Sequence, residues 1–189
     1  MDMNLSIFGK RTSFKFPPLA VQQLNELSER ARLPKDTDVL LAAIDVLAYL
    51  IGFVAAGGRI FLKAHNGNKT WAYSPYAPPA DYPHFLPTWS KLDEKAPKER
   101  RSFTFSKAMV DRLQTIKAAS RFQSDSDVVR AAIAVFHELL CAHLANDRIV
   151  LKDRRGSTRY YNPFAKVSKV VALQPRPSVV SEPAQRKFG

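Results

Sequence analysis

The chain has 189 residues, 46% of them hydrophobic, which is enough to build a core and excludes wholesale disorder. A formal net charge of +12 and a pI of about 10 point to an acidic partner, nucleic acid before an anionic membrane surface. A single cysteine, Cys141, excludes an intrachain disulfide, and the segment from Met1 to Lys10 has no apolar signal core, so the expected location is the cytoplasm.

An internal duplication organises everything after the first ten residues. A shift of 89 positions lays Arg11–Lys63 on Arg100–Lys152 without a gap, with about 20 of 53 positions identical. The clearest blocks are SFKF (13–16) against SFTF (102–105), DTDVLLAAIDV (36–46) against DSDVVRAAIAV (125–135), and RIFLK (59–63) against RIVLK (148–152). The expected organisation is an N-terminal arm (1–10), a first unit (11–77), a linker rich in proline and charge (78–99), a second unit (100–167) and a basic tail (168–189). The linker aromatics Tyr82, Phe85 and Trp89 suggest that it packs on something. Its roughly 22 residues span up to about 70 Å extended, so the copies can pair within one chain or between two.

Each unit opens with a short strand. Phe14 and Phe16 face one way and Ser13 and Lys15 the other; Phe103 and Phe105 alternate likewise with Ser102 and Thr104. A helix follows, started by Pro17-Pro18 in the first copy and capped by Ser106 in the second. Its apolar stripe is Val21, Leu24, Leu27 and Ala31, matched by Val110, Leu113, Ile116 and Ser120. A second helix starts at Ser124 with a capping box to Asp127. The first copy has Lys35 at that position, a poor cap, which leaves Asp36 or Thr37 to serve instead. A hairpin closes each unit. A type I′ turn at Asn66-Gly67 sets Leu62 opposite Trp71 and Ile60 opposite Tyr73; a turn near Arg155-Gly156 sets Leu151 opposite Tyr160.

The stretch Val39–Gly58 is long enough to span a bilayer, with Asp45 its single charge. Its second copy carries Arg130, His137, Glu138 and His143, so both read as buried helices of a water-soluble fold. Leu41, Ala48 and Val54 replace Arg130, His137 and His143, which suggests that helix 39–56 is covered by the linker or by another subunit. His137 and Cys141 have metal-ligand spacing, but no second ligand pair accompanies them. No Ser/His/Asp set, paired-carboxylate site or phosphate-binding glycine loop is present, so neither an enzyme, a metal site nor a cofactor is expected.

Strand, helix, and a helix opening S-D-S-D-V-V-R-A-A-I resemble the ribbon–helix–helix family, the MetJ/Arc-type DNA-binding proteins. The match covers about 45 residues of each copy. The resemblance implies a mainly α fold with short β, two ribbon–helix–helix units forming a single-chain pseudo-dimer, each with an added hairpin. It also implies an antiparallel ribbon in the major groove of double-stranded DNA, with Ser13, Lys15, Ser102 and Thr104 reading bases and Arg11 and Arg101 beside them. Lys35, Asp36, Ser124 and Asp125 would meet phosphate, mainly through backbone N–H groups. Arg154 and Arg155, at a basic hairpin tip, are further phosphate candidates. Tandem chains of this kind are similar to relaxosome-type and overdrive-binding accessory proteins, so the expected use is transcriptional repression or plasmid and mobile-element DNA transfer or segregation. Two other readings stay open. One is a protein-interaction module of antitoxin or scaffold type. The other is single-stranded nucleic-acid binding through Trp71, Tyr73, Tyr160 and Tyr161.

Overall fold

The computed structural model describes residues 10–33, 35–76, 81–82, 97–120 and 122–165. The arm up to residue 9, most of the linker and the tail lie outside these, as do Phe85 and Trp89. The described residues form a mixed α+β fold of four helices and two small antiparallel sheets.

Strand β1 (Lys10–Phe16) pairs antiparallel with β4 (Glu99–Phe105), centred on Ser13 opposite Ser102. The two serines occupy the same position in the duplicated sequence, so each copy meets its counterpart. One face of this ribbon is Phe14, Phe16, Phe103 and Phe105, all at most 3% exposed. Their ring centroids lie 5.9–6.2 Å apart, tilted or edge-on except for the parallel Phe103 and Phe105.

Helices α1 (Pro18–Arg30) and α2 (Asp36–Ala55) follow β1; α3 (Lys107–Ala119) and α4 (Asp125–Leu144) follow β4. Pro17 precedes α1, with Pro18 at N1, where its missing N–H costs no hydrogen bond. The Ser106 hydroxyl caps α3. In α1 the buried stripe is rotated slightly from the expected one: Ala20, Gln23, Leu24 and Leu27 are buried and Val21 only partly. The long helices α2 and α4 pack on each other, and each is flanked by the short helix of the other copy as well as its own. Both end in a left-handed residue, Gly57 (φ +84°) after α2 and Asn146 (φ +61°) after α4. Gly58 N–H then reaches back to Phe53 and Asp147 N–H to Ala142, which satisfies carbonyls of the last turn.

The chain next forms a four-stranded sheet in the order β3-β2-β5-β6: β2 (Arg59–Lys63), β3 (Thr70–Tyr73), β5 (Arg148–Lys152) and β6 (Thr158–Tyr161). Here too the centre is a pair of equivalent residues, Phe61 opposite Val150. Ile60, Leu62, Ile149 and Leu151 are buried on the helix side. The first hairpin has the expected register, Leu62 with Trp71 and Ile60 with Tyr73. Its turn is not type I′: Gly67 N–H bonds to the Ala64 carbonyl, and of the central pair only Gly67 has positive φ. The second hairpin differs by one residue from expectation, with Leu151 opposite Arg159 and Val150 opposite Tyr160. The reason is a shorter loop. Asp153 pairs with Ser157, and its carboxylate accepts from the N–H groups of Arg155 and Ser157.

The hairpins cover the long helices. Tyr73 donates to Glu138 Oε2 on α4 at 2.9 Å, while Tyr161 stacks on Tyr49 of α2 at 4.9 Å. By length and composition α2 could cross a membrane, yet here Val39, Leu40, Ala43, Ile44, Leu47 and Leu50 are fully buried. Leu41, Ala48 and Val54, for which a linker or a second subunit was the expected cover, are partly buried against the core of the same chain, as is Phe53. Tyr82 of the linker packs on Trp71 of the first hairpin and donates to Asp147.

Glu138 is 2% exposed, and its Oε1 has no partner among the described residues. Burial pushes its carboxyl up to about 7, against the smaller opposing effect of the Tyr73 hydroxyl. The folded protein therefore holds a proton that the unfolded chain releases near pH 4.5. The associated stability is complete below that pH and lost as pH rises through about 7. Between pH 5 and pH 8 the loss amounts to about 2–3 kcal/mol. Urea titrations at the two pH values should show this component in the parent and not in Glu138→Gln; equal pH dependence in both would disprove it.

Candidate nucleic-acid interface

Away from the phenylalanines, the ribbon presents an exposed polar face. Arg11 lies opposite Thr104, Ser13 opposite Ser102 and Lys15 opposite Arg100. The two serine hydroxyls hydrogen-bond at 2.7 Å, so the centre of the face is a closed polar pair. Arg11 and Arg100 are equivalent in the duplicated sequence and flank that centre symmetrically. Lys15 and Thr104 are equivalent but unlike, so one end carries Lys15 with Arg100 and the other Arg11 with Thr104.

Five of the six residues expected at the reading face therefore share it: Arg11, Ser13, Lys15, Ser102 and Thr104. Arg101 does not. It has the strand parity of Phe103 and Phe105, and its guanidinium bridges the carboxylates of Glu99 and Asp36. Partial burial works against its charge, but hydrogen bonding to Glu99 and the charges of Asp36 and Glu99 hold its pKa above the ordinary arginine value. Arg101 ties the ribbon to the start of α2. The outward cation is Arg100, which the sequence reading passed over although counting back by two from Ser102 finds it.

The four helix-start residues divide in the same way. Lys35 is the N-cap of α2 and makes no side-chain cap; neither Asp36 nor Thr37 replaces it, because Asp36 is held by Arg101. Ser124 caps α4 by accepting from Asp127 N–H, and the Asp127 carboxylate accepts from Ser124 N–H at 3.0 Å. Burial raises the Asp127 pKa, but its hydrogen bonds with Ser124 and Arg130 outweigh this and leave it below the usual aspartate value. Asp125 is held by Lys117 at 2.9 Å and by Gln114. The Asp36 and Asp125 carboxylates are thus neutralised locally. The first-turn N–H groups of residues 36, 37, 125 and 126 have no intrahelical acceptor and add a partial positive charge to each helix start, where α2 also carries the Asp38 carboxylate. Ser124→Ala should lower the unfolding free energy by about 1 kcal/mol, whereas Lys35→Ala should leave it nearly unchanged; chemical denaturation of both variants is the check.

Arg154 and Arg155 are exposed on the β5–β6 turn, but the 20-residue helix α2 separates that turn from the ribbon by roughly 30 Å. Arg154 lies over Gly57, where a Cβ would meet its Cδ at 3.5 Å, so it sits beside the C-terminus of α2, a favourable place for a cation. Neither arginine shares the ribbon face. His137 Nε2–H donates to the Glu26 carboxylate at 2.8 Å, and the ring lies 3.8 Å from Cys141 Sγ; among the described residues no group of three or more His, Cys, Asp or Glu could hold a metal ion. Of the four aromatic platforms considered for single strands, Trp71 and Tyr73 are buried and Tyr161 is stacked on Tyr49, which leaves Tyr160.

Compared with protein-family models, curated proteins and solved structures, the chain matches none.

Proposed function

We propose that this chain binds double-stranded DNA at specific sites by laying the β1–β4 ribbon in the major groove, with the first turns of α2 and α4 against flanking phosphates. The carrying observation is the ribbon itself. One face is sealed by four phenylalanines and the other offers three cations and three hydroxyls, with no acidic side chain at the strand positions from 11 to 15 and 100 to 104 that point outward. A two-stranded ribbon fits the width of the major groove, and an arginine there can take both acceptors of a guanine edge. The two helix starts on either side of the ribbon suit phosphate through their free N–H groups.

In this reading the two units form, in one chain, the pseudo-dimer of the ribbon–helix–helix type. It acts in a prokaryotic cytoplasm or nucleoid, as a repressor or as an accessory factor in DNA transfer or segregation. Selection from a random duplex pool, followed by gel-shift titration of the enriched site, tests the shared claim. Enrichment of one motif with a steep salt dependence is the expected result. Failure to enrich any motif, together with a stable protein complex on pull-down, would favour an interaction module instead. The genomic position of the enriched site decides between repression and DNA transfer.

A further inference from the structure

The four-stranded sheet has a second face, away from the helices, that the ribbon reading does not use. Across it runs a row of register partners, Ala72, Phe61, Val150 and Tyr160, one from each strand. Tyr160 is 67% exposed, with the Arg148 guanidinium 5.3 Å above its ring. Cations border the row on both sides: Arg59 opposite Lys152, and Lys63 opposite Arg148. No strand residue of this face is acidic. The carboxylates at the two ends of β5 are engaged elsewhere, Asp147 by His65 N–H and the Tyr82 hydroxyl, Asp153 by the N–H groups of its own turn.

From this placement we infer that the outer face of the β3-β2-β5-β6 sheet is a binding platform for single-stranded nucleic acid, distinct from the ribbon. The cation rows lie about 6–7 Å to either side of the aromatic row, within reach of a backbone whose bases lie on Phe61 and Tyr160. The exposed Tyr160 ring and the half-buried Phe61 ring offer faces to unpaired bases through stacking, which every base can provide. A duplex hides its base faces. Four strands also measure about 14 Å across, too wide for a groove of about 12 Å. A second copy of the chain would set four cations against four.

The inference is independent of the ribbon reading, and its test keeps the two apart. The parent is the full chain with Lys15→Ala and Arg100→Ala, which silences the ribbon. Fluorescence anisotropy with labelled oligothymidine of about 12 nucleotides should show binding that an unlabelled duplex competes for poorly. Adding Tyr160→Ala should weaken it about tenfold, while Tyr160→Phe, which keeps the ring, should retain it. Arg59→Ala with Arg148→Ala should reduce the slope of log affinity against log salt by about 1.4. No binding by the parent, equal competition by duplex, or unchanged affinity in Tyr160→Ala would each overturn the proposal.

Discussion

Phe105→Ala is expected to destabilise the protein by about 3–5 kcal/mol, the cost of removing a fully buried phenylalanine. Phe105 is 0% exposed and packs within about 6 Å of Phe14 and Phe103, so its loss opens a cavity between the two copies. A domain of this kind has only about 5–15 kcal/mol in total, so the variant should unfold at much lower urea concentration. Thr104→Ala, one residue away on the exposed face, should change stability by less than about 0.5 kcal/mol. The contrast separates the two faces of one strand. Comparable destabilisation by both substitutions would contradict the alternation on which the ribbon rests.

The second large effect concerns binding. On the DNA site recovered by selection, Arg100→Ala should cost about 1–3 kcal/mol of affinity, a loss of about five- to 150-fold, and should relax the preference at one base position. Lys15→Ala should add to it at the same end of the ribbon. Arg101→Ala is the informative control. It releases Asp36 and loosens the link between β4 and α2, so it should reduce stability without relaxing base preference. Gel-shift titration against the selected site and its single-base variants reads both quantities. Unchanged specificity in Arg100→Ala, or relaxed specificity in Arg101→Ala, would place the reading face on the wrong side of the strand.

Much of the architecture was legible because the duplication supplies two readings of every element. The Phe-x-Phe alternation, the Ser124–Asp127 capping box and the Leu62–Trp71 register follow from local rules of side-chain period and hydrogen bonding. Failures occurred where a single residue changes parity or loop length. Arg101 and Arg100 are neighbours of the same chemistry, and only their strand parity distinguishes an anchor from an outward cation. The second hairpin slipped by one residue because Asp153, through its carboxylate, closes a turn on Ser157 that is one residue shorter than the Ala64–Lys69 turn of the first. The outer sheet face was hidden for another reason: its row of register partners exists only once β2 and β5, from different copies, lie side by side. No pattern within RIFLK or RIVLK alone reveals that neighbour.

The unlike pair Lys15 and Thr104 has a consequence beyond the ribbon. If the two ends of the ribbon prefer different bases, the protein can sit on its site in one direction only. The side of α2, with its half-exposed Tyr49, then always faces one flank of the DNA, and the side of α4, with its buried Glu138 and His137, always faces the other. A symmetric dimer presents identical shoulders to whatever approaches along the duplex. On the proposed reading, this chain would give its site an upstream and a downstream.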